Sequence, residues 1–180
     1  MWPLRRLAVF TIVLSLAGCA REQRPAPHPY TPPRPPSPRP LQTPAESEAA
    51  FVAENGSIDL FVIRSSELAL ERSTSPRVRD FARTMIDDHK GTSAQLSLEG
   101  RRLNLLPSAT LRPAEQAMLD ELEASTRFDA DYVRDQRLVH QQAVALDSAY
   151  AANGRSPTLR PVAAAALPIE QRHLRLLAYL

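Results

Sequence analysis

The chain carries one cysteine, Cys19, in 180 residues. No intramolecular disulfide can form, so the folded part has to hold together by packing. Glycine is scarce, with five in all. None of them builds a phosphate-cradling loop, and no serine sits in a glycine-flanked turn. With no nucleophile constellation and no nucleotide loop, the common hydrolase and phosphotransferase chemistries lose their residues. No apolar run reaches the roughly 20 residues that a membrane-spanning helix requires. Lysine is nearly missing: Lys90 is the only one, and arginine supplies every other basic side chain, which reads as genomic composition bias.

What is present begins with a basic pair, Arg5 and Arg6, followed by an apolar stretch from Leu7 to Ala17. This is the layout of a secretion signal. It ends in Leu16-Ala17-Gly18-Cys19, a string that resembles the bacterial lipoprotein box. That resemblance implies lipidation of Cys19, cleavage after residue 18 and a membrane anchor. Ala20 stands where an aspartate would imply the inner membrane, so the resemblance points to the outer membrane, facing the periplasm. Residues 19–44 then form a tether in which prolines recur every two or three residues from Pro25 to Pro44. Proline fixes φ and removes a donor, so an extended polyproline spacer is expected, reaching roughly 60 Å at about 3.1 Å per residue.

The formal charge of +2 belongs to the whole chain. Removing Arg5 and Arg6 with the signal leaves 20 basic against 20 acidic side chains. The tether holds Arg21, Arg24, Arg34 and Arg39 against Glu22, so the remainder is mildly acidic. Nucleic acid is a poor partner for such a domain, because backbone binding needs a concentrated basic face. The expected partners are the membrane, through the anchor, and a protein or the cell wall.

Residues 45–180 read as amphipathic helices, with apolar positions at i, i+3, i+4 and i+7. The first runs from about Ala45 to Ser73, with Phe51, Ile58, Val62, Ser65 and Ala69 on one face and Gly56 as a weak spot. Ser75-Pro76 is a cap followed by proline at the first helical position. The second helix extends from there to about Leu103 and shows Val78, Phe81, Met85, His89, Ser93 and Leu96. A loop at Leu105–Pro113 leads to a short helix ending near Ser125. The third long helix starts near Arg127 and stops at Asn153-Gly154, with Phe128, Tyr132, Val139, Ala143, Leu146 and Tyr150 facing inward. The last helix starts at Ser156-Pro157 and is expected to kink or break at Pro168. The expectation is an all-α, antiparallel four-helix bundle with one short extra helix between the second and third long helices.

His89, His140 and His173 fall in three different long helices, each within or beside an apolar stripe. In a closed bundle all three imidazoles would point inward, and imidazole is the commonest metal ligand. A di-metal carboxylate centre needs two Glu-x-x-His pairs and two further glutamates. Only Glu170-Gln171-Arg172-His173 has the spacing, since Ile86 and Arg137 precede the other two histidines. Val62 occupies the central position of the first helix. A single site for zinc, copper or iron, with His89, His140, His173 and Glu170 as candidate ligands, therefore stands beside a second reading. In the second, the imidazoles are buried and neutral, hydrogen-bonded to Gln136, Ser65, Ser66 or Ser93. Asp88 adjoins His89 but points about 100° away around the helix. Asp87-Asp88 and Asp129, Asp131 and Asp135 read as solvated or helix-capping charges.

Three strings carry a wider resemblance: Phe81-Ala82-Arg83-Thr84-Met85-Ile86-Asp87-Asp88-His89, then Phe128-Asp129-Ala130-Asp131-Tyr132-Val133 with His140, then Leu167-Pro168 with His173. Over about Phe51 to Leu180 the chain resembles the bacterial envelope family called domain of unknown function 4142. The resemblance implies a ferritin-like bundle and export, and no particular activity. It marks Asp88, His89, Asp129, His140 and His173 as motif positions, while Val62 replaces a glutamate common in the family. The expected function is a membrane-anchored envelope lipoprotein with a non-enzymatic structural, binding or stress-related domain. A histidine-based metal-binding or redox protein is the alternative, and a partner groove opened at Pro168 is a third idea.

Overall fold

The computed structural model describes residues 47–180. The signal-like segment, Cys19 and the proline-rich tether lie outside the described residues. Five helices follow in order: α1 Glu48–Arg72, α2 Pro76–Arg101, α3 Pro113–Ala124, α4 Phe128–Asn153 and α5 Arg160–Leu177. The described residues contain no strand.

Local chemistry sets most of the boundaries. The Ser47 and Ser75 side chains accept from the backbone N–H groups of Ala50 and Val78, and Pro76 opens α2. These contacts satisfy donors that a helix start leaves unpaired. The expected serine-proline start of the last helix is shifted. Ser156 is buried and accepts from the N–H groups of Thr158 and Leu159. A turn is therefore stapled first, and α5 begins only at Arg160. Of the kink or break expected at Pro168, the break does not occur: Pro168 lies inside a continuous α5. Both Pro168 and Ala164, whose carbonyl loses its partner, face solvent, where water replaces the missing bond. The break on which a partner groove depended is not made.

Short connections make α1–α2 and α4–α5 two helical hairpins. They are joined through α1 against α4 and α2 against α5, while α3 packs on α1 and α4. Pairs such as Asn55 with Asp147 and Ser66 with Tyr132 run in opposite chain directions, so α1 and α4 are antiparallel. The result is an antiparallel four-helix bundle in which α3 carries the crossover from α2 to α4. Gly56 is more than a weak spot. A Cβ there would lie 2.6 Å from Pro107 Cβ, so its bare Cα lets the crossover loop close onto α1.

The core is split. One apolar cluster gathers Ile58, Phe61, Val62, Phe81, Met85, Leu122, Tyr132, Val139 and Leu177. A second gathers Phe51, Val52, Leu96, Tyr150, Leu159, Val162 and Ala163, with Phe51 and Tyr150 stacked at 3.9 Å between ring centroids. Each fully buried large side chain contributes about 1.5–3 kcal/mol. Between the clusters, every long helix places polar residues inward: Asn55 and Asp59, His89, His140 and Asp147, Glu170 and His173. Polar groups in such a layer are costly unless they are partnered.

Candidate metal centre

The layer is built by helical spacing. His89 lies one turn beyond the buried Met85, His140 directly follows the buried Val139, and His173 lies one turn before Leu177 on α5. All three imidazoles are fully enclosed and Glu170 is 2 % exposed. One ligand atom from each of His89, His140, Glu170 and His173 falls within a set whose members all lie within 4.8 Å of one another. His140 Nε2 is at the middle, 3.4 Å from His89 Nε2 and 3.1 Å from His173 Nδ1. Glu170 Oε1 lies 3.9 Å from His89 Nε2, and its Oε2 lies 3.7 Å from His140 Nε2.

The outer ring nitrogens decide what the inner ones are. His89 Nδ1 lies 2.8 Å from Asp59 Oδ1, His140 Nδ1 2.6 Å from the Gln136 carbonyl and His173 Nε2 2.9 Å from Asp88 Oδ2. Carboxylates and carbonyls only accept, so each outer nitrogen carries its proton. A neutral ring held this way presents a bare lone pair inward. Three such lone pairs converge on one point, where they cannot donate to each other. This is the arrangement around metal-bound histidine, with the far N–H tied to a carboxylate or backbone carbonyl. A tetrahedral ion with bonds of about 2.0–2.1 Å has ligand–ligand edges of about 3.3 Å, close to the 3.4 and 3.1 Å that separate His140 Nε2 from His89 and His173, with the Glu170 oxygens somewhat wider at 3.7 and 3.9 Å. Glu170 Oε2 has no hydrogen-bond partner, and a buried unpaired acceptor costs about 1–3 kcal/mol.

Electrostatics separates the three rings. Burial, together with the neighbouring His89 and His173, holds His140 well below its ordinary value. Burial takes His173 down to about 4, against the opposing pull of Asp88. Burial would also lower His89, but the Asp59 hydrogen bond and the carboxylates of Glu170 and Asp88 outweigh it and raise the ring above its usual value. Burial pushes Glu170 up to about 7. Without an ion, His89 is thus the ring that most readily takes an extra proton, with Glu170 facing it.

The structure brings His89, His140, His173 and Glu170 together. It corrects the reading of Asp88: the 100° offset from His89 aims this carboxylate at the neighbouring helix, where it holds His173 and Arg172. Burial alone would raise Asp88, but those partners keep it below the usual range. Asp129 is half-buried in the first turn of α4, 11 residues and so roughly 16 Å along the helix from His140, and takes no part. Asp135, expected as a solvated or helix-capping charge, is 3 % exposed and paired with Arg134. Asp87 is exposed as expected.

Of the expected alternative partners, Gln136 serves His140 through its carbonyl, while its side chain donates to Ser65. Ser66 pairs instead with Tyr132. Val62 stays in the apolar core, and the α1 carboxylate comes from Asp59, one turn earlier, which sequence reasoning missed. Its signal was the run Asn55, Asp59, Val62 and Ser66 at i, i+4, i+7 and i+11, one stripe of mostly polar residues. Asp147, two turns beyond His140 on the same face, gives the same signal on α4.

A family model described as "Domain of unknown function (DUF4142)" matches residues 33–180. Among solved structures, CopM in the Cu(II)-bound form is similar at a TM-score of 0.62 and 18% identity, covering 73% of this chain and 93% of that one. CopM in the Cu(I)-bound form gives 0.62 and 17%, covering 74% and 94%. CopM in the Ag-bound form gives 0.61 and 18%, covering 73% and 93%. At such identity the likeness shows the fold. No curated protein matches the chain significantly.

Proposed function

The chain belongs to the DUF4142 family, and from that premise we propose that its domain binds one transition-metal ion through His89, His140, His173 and Glu170. The observation that carries this reading is the convergence of three inward lone pairs whose rings are each fixed from behind by an acceptor. The donor set contains imidazole and carboxylate with no thiolate, which suits Cu(II), Zn(II) or Fe(II). Copper is favoured among these because CopM, similar in fold, was solved with Cu(II), Cu(I) and Ag bound. Four protein ligands would fill a tetrahedral shell. Catalytic metal sites keep a position open for water or substrate, so a closed site supports holding or buffering an ion over turnover.

The test is metal analysis of protein purified without an affinity tag and exposed to Cu(II) or Zn(II). About one equivalent is expected to remain after desalting, with a rise in the melting temperature. Less than about one-tenth of an equivalent, with no thermal shift, would reject the reading.

The location of this domain is the second part of the proposal. Cys19 within its lipoprotein-like box, and the proline-rich spacer behind it, support an envelope protein tethered to the periplasmic face of the outer membrane. Cys19→Ser should stop incorporation of radiolabelled fatty acid and move the protein to the soluble fraction. A membrane-bound, unlabelled Cys19→Ser protein would overturn the anchor.

A further inference from the structure

The proposed ligands are enclosed, so an ion needs a way in. A narrow crevice runs between α1, α2 and α5, lined by Asn55, Asp59, Thr92, Gln95, Val162 and Ala166. Its free volume of about 10 Å³ is about the least that holds one ordered water. At its mouth Gln95 is exposed, while Asp59 is 1 % exposed at its inner end. Asp59 is only half used. Its Oδ1 accepts from His89 Nδ1 and, at 2.9 Å, from Thr92 Oγ1, while its Oδ2 has no partner. Ala166 forms the α5 wall one turn before Glu170, whose Oε2 is also without a partner. Two buried carboxylate oxygens without partners thus stand at the inner side of the crevice, Asp59 Oδ2 behind His89 and Glu170 Oε2 one turn beyond the Ala166 wall.

We infer that this crevice is the access route for the metal cation, with Asp59 Oδ2 as its first protein ligand and Glu170 as the hand-off to the histidines. The inference rests on the metal-binding reading above. The route is cation-selective by construction, because its inner end offers anionic oxygen acceptors and no basic side chain lines it. A hydrated ion is larger than this space, and the carboxylate of Asp59 at its inner end offers oxygen in place of the water an ion gives up.

The experiment follows the rate of Cu(II) uptake by the full chain in mild detergent, read by stopped-flow quenching of tyrosine fluorescence. The final amount bound is measured after desalting. Ala166→Leu narrows the inner wall and should slow uptake about 10-fold, with the amount bound unchanged. Ala165→Leu, on the exposed side of the same helix, should load at the normal rate. Gln95→Lys leaves the core untouched and puts a positive charge at the mouth. It should slow uptake about 5-fold at low ionic strength, and the effect should fade near 0.5 M salt, where screening acts within about 4–5 Å. Gln141→Lys, an equal charge on the exposed face of α4, controls for net charge. Normal loading by Gln95→Lys, or equal slowing by Gln141→Lys, would overturn the route while leaving the metal centre in place. No uptake by the unaltered protein would reject the metal centre, and the route with it.

Discussion

Replacing His140 with alanine should abolish stoichiometric metal binding and leave a folded bundle. His140 Nε2 is the one ring atom within 3.4 Å of His89 Nε2 and 3.1 Å of His173 Nδ1, so its removal takes out the ligand that the others surround. Loss of a single supporting contact behind a metal-bound histidine already costs about 10–100-fold in affinity, and loss of the ligand itself should exceed that. In the unaltered protein, an ion at about 1,000 times its Kd should add about 4 kcal/mol of stability. That increment should vanish in His140→Ala. The metal-free protein should also lose stability, on the order of 2 kcal/mol, because the ring is fully buried and its removal leaves a cavity, and the chelator arm measures that loss by itself. Calorimetric titration with Cu(II), paired with thermal unfolding in chelator and in excess ion, reads both quantities. Undiminished affinity in His140→Ala would place the ion elsewhere, for instance on surface carboxylates or on His28 in the tether.

Asparagine at Asp147 should stabilise the metal-free protein at neutral and alkaline pH. Asp147 is completely buried. Its Oδ1 accepts from Asn55 Nδ2 at 2.7 Å, and its Oδ2 has no partner. Burial, followed by the charge of Glu170, pushes the carboxyl up to about 8, against about 3.9 in an unfolded chain. A raised carboxyl means that the folded state holds the proton more tightly than the unfolded state does. Its stabilising contribution is complete below pH about 4 and is lost progressively as pH rises through about 8. The asparagine side chain is neutral throughout and can still accept from Asn55, so the variant should lose that slope. The gain at pH 8 should be on the order of several kcal/mol. Urea unfolding at pH 5, 7 and 9 in chelator measures it. His89 and Glu170 also titrate, and because the Glu170 charge acts on Asp147, the difference between the two proteins reads Asp147 together with that coupling. Parallel profiles would mean that Asp147 ionises in the folded protein as readily as in water.

Helices were legible because their information is local. The Ser75-Pro76 cap, the Asn153-Gly154 stop and the period of apolar residues each act within a turn or two of themselves. Their boundaries accordingly fall within a few residues of the sequence reading, apart from the later start of α5 behind the Ser156 turn. The histidine trio was legible for the same reason, since a polar residue within or beside an apolar stripe is visible along one helix. Pro168 did not end its helix because a proline's effect depends on which side of the helix it occupies. On a solvent face the lost hydrogen bond goes to water, and the helix continues.

From its sequence alone, this protein is legible as an all-helical domain with three histidines in or beside apolar stripes and one Glu-x-x-His pair, preceded by a segment that resembles a lipoprotein signal and a proline-rich stretch. Only the tertiary structure decided which nitrogen of each ring faces inward, that Asp88 reaches His173 across a helix interface, and that Asp59 supplies the α1 carboxylate in place of Val62. The reason is physical. Helix formation depends on neighbours in the chain, whereas a ring's proton follows whichever acceptor the opposite helix brings to within 3 Å, and helix rotation and register set that acceptor only when the bundle closes.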